Sequence, residues 1–96
     1  MANIVIYYNS NKGENTQQAV EQVNNIIHQL EKHHVISGVY IDNFDQSIEL
    51  MDLLNSPLKR LDYIYINKPI KNEFDKELIY QLSKTEHFKL RYFNEI

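Results

Sequence analysis

The sequence contains no cysteine. Neither a disulfide nor a thiolate metal site can form, and a cytoplasmic location is the expectation. Only two glycines and two prolines interrupt the 96 residues, which leaves few positions for long flexible loops. No apolar run approaches the roughly 18 residues of a membrane span. Met1-Ala2-Asn3 leads into an extended segment without the basic start of a secretory leader, so no leader and no membrane partner are expected. An excess of basic charge is also missing: 10 Lys and Arg stand against 13 Asp and Glu, a formal charge of -3. Domains that grip duplex DNA take much of their affinity from phosphate neutralisation. This balance speaks against DNA binding by the chain alone and leaves room for a local patch such as Lys68 and Lys71. There is no internal repeat and no low-complexity segment.

What remains is the composition of an ordinary folded domain, 43% hydrophobic and 24% charged, and its length fits a single domain over residues 1–96. Residues 3–8, Asn-Ile-Val-Ile-Tyr-Tyr, are β-branched and aromatic, as in a central strand buried on both faces. Gly13 permits a tight turn. Asn15 or Thr16 can cap a helix over 16–32, with Gln18 three residues after Asn15 as in a capping box. Ala19, Val20, Val23, Ile26, Ile27 and Leu30 form its apolar stripe. A second strand covers 35–41 and ends at Asp42. A second helix is expected over 45–55, with Asp45 as its cap and Ile48, Leu50, Met51 and Leu54 inward. A third strand covers 61–66. Asn72 suits the cap of a third helix, with Glu73 and Asp75 in the first turn, where negative charge favours the dipole. Phe74, Leu78, Ile79 and Leu82 give that helix its buried face. A last strand, 88–93, alternates as a sheet-edge strand does.

The order is β-α-β-α-β-α-β. Crossovers of this length imply a mostly parallel sheet with right-handed connections. The expected fold is a small three-layer α/β/α sandwich on a four-stranded, mostly parallel, flavodoxin-like sheet. In such sheets, ligands collect at the carboxyl ends of the strands. The loops 9–15, 42–46 and 67–72 would all open on that edge, so any site is expected there.

Across those loops the chain resembles the catalytic domain of serine recombinases, the resolvase and invertase family, over about residues 3–95. The family's Tyr-x-Arg-Val-Ser strand falls on Tyr7-Tyr8-Asn9-Ser10-Asn11, and its Tyr-x-Asp on Tyr40-Ile41-Asp42. Its Leu-Leu and Asp before an apolar strand fall on Leu53-Leu54 and Asp62. Its Arg-x-x-Arg-Asn falls on Lys68-Pro69-Ile70-Lys71-Asn72. The resemblance implies the fold, with a serine that attacks a DNA phosphate and basic residues that stabilise its charge. In ungapped register the nucleophile position is Asn11 and the preceding arginine is Asn9, with Ser10 one residue away. Lys68 and Lys71 supply charge without the bidentate fork of arginine. The departures thus fall on the chemistry. They imply a non-catalytic relative that works by protein–protein contact, with a second copy or another mobile-element protein as partner. A second resemblance links Tyr8-Asn-Ser10-Asn-Lys-Gly13-Glu-Asn15-Thr16 to the phosphate loop of flavodoxins, where backbone N–H groups cradle the FMN phosphate. Glu14 interrupts it with a carboxylate.

The candidate residues follow. Ser10 is the candidate nucleophile, although no base stands beside it in sequence and a polar-turn role competes. Ser10, Asn11, Lys68 and Lys71 are the candidate anion-binding set, and Asp42 marks the edge of the site. His28 and His33 are five residues apart, not at the i,i+4 spacing of a helical zinc pair. Neither a metal nor a resident cofactor is expected. Of the seven tyrosines, most are expected in the core or at sheet edges, and some on a partner surface.

Overall fold

The computed structural model describes all 96 residues. Its first strand, β1 (Ala2–Asn9), lies at the centre of the sheet, because its side chains are apolar toward both faces. Ile4, Ile6 and Tyr8 point one way, Val5 and Tyr7 the other, and all five are buried. The remaining elements are α1 (Thr16–Leu30), β2 (His34–Asp42), α2 (Ile48–Leu54), β3 (Tyr63–Ile66), α3 (Glu73–Glu86), β4 (Lys89–Tyr92) and a closing 3-10 turn, Phe93–Glu95. The strand order is β2-β1-β3-β4, and every pairing is parallel. β4 is an edge strand, as its alternation implies.

The two faces of the sheet carry separate cores. On one, Ile4, Ile6, Tyr8 and Tyr65 pack against Ala19, Val23 and Leu30 of α1. On the other, Val5, Tyr7, Ile64 and Ile66 meet Leu50, Leu53 and Leu54 of α2 and Ile79 of α3. The result is a three-layer α/β/α sandwich. Phe93 stacks on Tyr8 with ring centroids 6.2 Å apart, and the Arg91 guanidinium lies 4.3 Å from the Tyr63 ring centroid, beside the α1-side core. The β1–β2 register slips between Ile4↔Ile36 and Val5↔Gly38, leaving Ser37 as the extra residue of a bulge. A Cβ on Gly38 would stand 3.2 Å from Cε1 of Tyr40, so glycine gives that ring its space. No helix is long and apolar enough to cross a membrane.

Helix entry follows the sequence closely at two of three places. Asn15 and Gln18 form the full capping box of α1, each side chain accepting the other's backbone N–H. Asn72 Oδ1 accepts the Asp75 N–H at 3.0 Å and caps α3. The third differs. Asp45 is not the cap of α2; it sits in the left-handed region at φ 60°, a conformation that cannot lead into a right-handed helix. α2 therefore starts at Ile48 rather than 45, and the cap is a carboxylate from farther back, Asp42.

Two helices are also rotated from the expected phase. In α2, Leu50, Leu53 and Leu54 define the inward face at i, i+3 and i+4, which turns Ile48 outward at 64% exposure. In α3, Asp75 rather than Phe74 faces inward, with Ile79 one turn on; Phe74 is 73% exposed. α1 ends at Leu30 and not at 32, its stripe position Val20 is 39% exposed, and Phe88 reaches the core before β4 begins.

Candidate functional site

At the carboxyl edge of the sheet, β1, β2 and β3 end side by side, and side chains stitch their loops together. Asn67 extends the ladder past β3. Its Oδ1 accepts the Asn9 N–H at 2.9 Å and its Nδ2 donates to the Asn9 carbonyl at 2.8 Å. The Asn9 side chain turns the other way and donates to the Gln46 carbonyl at 2.9 Å, tying β1 to the loop before α2. Neither role was legible from residue type, although two asparagines at adjacent strand ends are the available signal.

Asp42 ends β2 with 3% exposure. Its Oδ1 accepts the Glu49 N–H at 2.8 Å and its Oδ2 the Leu50 N–H at 3.0 Å. Oδ2 also accepts the Tyr7 hydroxyl at 2.7 Å. The carboxylate is thereby consumed as a helix cap. Burial, and then the hydrogen bond to Asp42, push the Tyr7 phenol far above its ordinary range.

The turn after β1 is closed by Glu14. This carboxylate accepts the Asn11 N–H at 3.0 Å and the Tyr8 hydroxyl at 2.9 and 2.8 Å. Gly13 makes the turn possible at φ 83°. Burial, helped by the bond to Glu14, pushes the Tyr8 phenol up to about 12. A side-chain carboxylate thus holds the donors that the flavodoxin-like reading offers to a phosphate.

Three of the four candidate anion ligands do come together. Lys68 Nζ donates to the Ser10 carbonyl at 3.3 Å and to Asn11 Oδ1 at 3.4 Å. The lysine meets the serine through its backbone, however. Ser10 is 4% exposed, its N–H donates to the Asp42 carbonyl at 2.9 Å, and no hydrogen bond joins its hydroxyl to Lys68 or Lys71. A nucleophile needs a base or a cation at that hydroxyl, and Ser10 has neither. Lys71 stands apart from Ser10, on the wall of a cleft of about 120 Å³ between the loops 43–47 and 67–72. Tyr7, Asn9, Leu50, Lys68, Lys71 and Asp75 line it. Asp75, read only as a first-turn acid, is a residue that sequence reasoning missed; the helix phase that brings it inward is set by packing.

No three His, Cys, Asp or Glu side chains converge as a metal site. His28 pairs at 3.3 Å with Glu31 on the surface. Compared with protein-family models, curated proteins and solved structures, the chain has no significant match to any of them.

Proposed function

We propose that this chain is a non-catalytic, resolvase-like domain that works by pairing with a second copy of itself, in the DNA-recombination setting the resemblance implies. The strand order supports the architecture, repeating the first four strands of the flavodoxin-like order 2-1-3-4-5. The engagement of Asp42, Glu14 and Lys68 in holding loops argues against phosphoryl transfer. A cytoplasmic location suits a cysteine-free chain of this kind.

The observation that carries the reading is a groove with an apolar lining beside α3. Beside the open edge of β4 runs a groove of about 500 Å³ with an apolar floor of Ile66, Ile70, Ile79, Leu90 and Tyr92. Tyr80 stands on its rim at 50% exposure, the residue type enriched at contact surfaces. Glu73, Glu77, Tyr80 and Lys84 follow one another at helical spacing along α3, three of them on that rim. Glu73 and Glu77 lie toward the start, with Lys76 beside the groove between them, and Lys84 lies toward the end. A two-fold axis that sets two such helices antiparallel brings Glu73 of each copy to Lys84 of the other, which is the self-complementarity an isologous interface requires. Lys89 and Arg91 on β4 would repel each other if the strands themselves paired edge to edge, so the contact belongs to α3 and the groove.

Sedimentation velocity tests it. The wild-type chain is expected to be a dimer, Tyr80→Asp and Glu73→Lys monomers, and Glu73→Lys combined with Lys84→Glu a dimer again. A wild-type chain that stays monomeric at all concentrations overturns the pairing. Incubation with supercoiled DNA tests the other half: a covalent adduct that vanishes in Ser10→Ala overturns the non-catalytic reading.

A further inference from the structure

Asp75 lies in the first turn of α3, where the helix dipole favours its charge, and has no side-chain partner. It is 7% exposed, and its own N–H is used by the Asn72 cap. Its carboxylate accepts no hydrogen bond, and the single ion pair of the molecule lies elsewhere, at His28–Glu31. Yet its oxygens are not sealed in apolar packing, since the only fully enclosed side-chain polar atom without a partner is Nδ1 of His34. They open on the cleft of about 120 Å³. A carboxylate with 7% exposure and no donor from the chain leaves its oxygens to whatever enters the cleft. The Tyr7 hydroxyl beside it cannot serve, because its proton goes to Asp42.

Two cations line the same cleft without satisfying Asp75. Lys68 is turned to the Ser10 carbonyl and Asn11, with its ammonium 5.6 Å from the Phe44 ring centroid. Lys71 lies farther than 4.0 Å from any carboxylate oxygen and donates no hydrogen bond. Pro69 between them fixes one backbone angle of the loop, and the Asn72 cap fixes its end. The cleft therefore sets two carboxylates, the buried Asp75 and the exposed Asp45, beside two lysines.

We propose that this cleft binds a small zwitterion, its ammonium on the Asp75 carboxylate and its carboxylate or phosphate between Lys68 and Lys71. Size favours a small ligand, since the cleft lies well below the roughly 300 Å³ at which cofactor and nucleotide pockets begin. Charge decides against a simple anion, which would face Asp75, and against a simple cation, which would face the lysines. The site depends on neither the pairing of α3 nor the resolvase-like resemblance, and its test reads the wild-type chain in whatever oligomeric state it adopts.

The test is a titration followed by amide chemical shifts. The probes are β-alanine and phosphoethanolamine, with propionate, inorganic phosphate and propylamine as single-charge controls. At least one zwitterion is expected to shift the amides of 68–75 and to bind about tenfold tighter than the controls. Binding by β-alanine alone assigns a carboxylate ligand, and binding by phosphoethanolamine alone a phosphorylated one. Asp75→Asn is expected to weaken the zwitterion and to strengthen its anionic control, so that the two bind alike, whereas Lys71→Ala weakens both. Controls that bind as tightly as the zwitterions, or no shift from either zwitterion at millimolar concentration, overturn the proposal without any variant having to fold.

Discussion

The phenol of Tyr7 and the carboxylate of Asp42 meet at 2.7 Å, from adjacent strands and 35 positions apart in sequence. Tyr7↔Tyr40 and Asn9↔Asp42 are register partners on β1 and β2, so the two side chains reach the same face diagonally. Asp42 then bridges β1, β2 and the first amides of α2. One carboxylate thus settles where the second crossover begins. This is why α2 needs no cap from Ser47, whose side chain forms none.

Removing that carboxylate should therefore unfold more than a helix end. Asp42→Ala leaves a buried hydroxyl and two N–H groups without an acceptor, and should cost about 3 kcal/mol. Asp42→Asn keeps one acceptor oxygen and should cost less. Tyr7→Phe removes one neutral donor, about 1 kcal/mol. Urea unfolding of the two singles and the double Tyr7→Phe/Asp42→Ala should show coupling of about 1 kcal/mol. Additive costs would mean that the two residues act separately.

The contrast between Asn15 and Asp42 shows what was legible in the sequence. Asn15 caps the amide three residues on, so the relationship lies within one turn and the residue types announce it. Asp42 caps amides seven and eight residues on, across a loop that turns through the left-handed Asp45, and no spacing rule encodes that path. The strands were legible for the same local reason as Asn15, since the β1 pattern is buried on both faces. The phase of α3 was not. Phe74 is the more apolar residue, but Leu78, Ile79 and Leu82 together fix the inward direction, and it passes through Asp75. The site followed suit: Ser10, Asn11 and Lys68 do converge, while the orientation of Ser10 was set by its backbone bonds to Asp42 and Lys68.

The end of α3 offers a simple stability test. His87 closes the helix at φ 61°, in the left-handed region. Glycine is the usual residue there because it has no Cβ to clash. The relief of about 1–2 kcal/mol exceeds the extra chain entropy of glycine, about 0.5–1 kcal/mol. His87→Gly should therefore raise the unfolding free energy by roughly 0.5–1 kcal/mol in urea titration. A loss instead would show that the imidazole makes a stabilising contact.

Tyr8 gives the fold an alkaline limit. Its phenol titrates near 10 in an unfolded chain and is pushed up to about 12 in the folded one, first by burial and then by its bond to Glu14. Between those values the folded state holds the proton that the unfolded state has lost. Stability is full below about pH 10 and falls as pH rises toward 12, by at most ~1.4 kcal/mol per pH unit from this group. Tyr8→Phe should have a shallower decline over that window, measured by urea unfolding at a series of pH values. Equal slopes would place the alkaline loss on other groups.

Glu14 is the sharper functional test, because its carboxylate sits where the flavodoxin-like reading would place a phosphate. It satisfies the Asn11 N–H and the Tyr8 hydroxyl together. Glu14→Ala should cost about 1–3 kcal/mol by orphaning those donors. It should also leave them pointing into a gap beside the start of α1, where the helix dipole favours negative charge. Inorganic phosphate should then raise the melting temperature of Glu14→Ala by several degrees more than that of the wild type. Phosphate also stabilises folded proteins by exclusion from their surface, so the comparison is the difference between the two proteins at matched ionic strength. A larger shift in the variant means that Glu14 is a built-in substitute for an anion and that the wild-type turn is closed to phosphate. An identical shift in both means that the turn holds its shape only while Glu14 holds it, and that the likeness to a phosphate loop ends at the level of sequence.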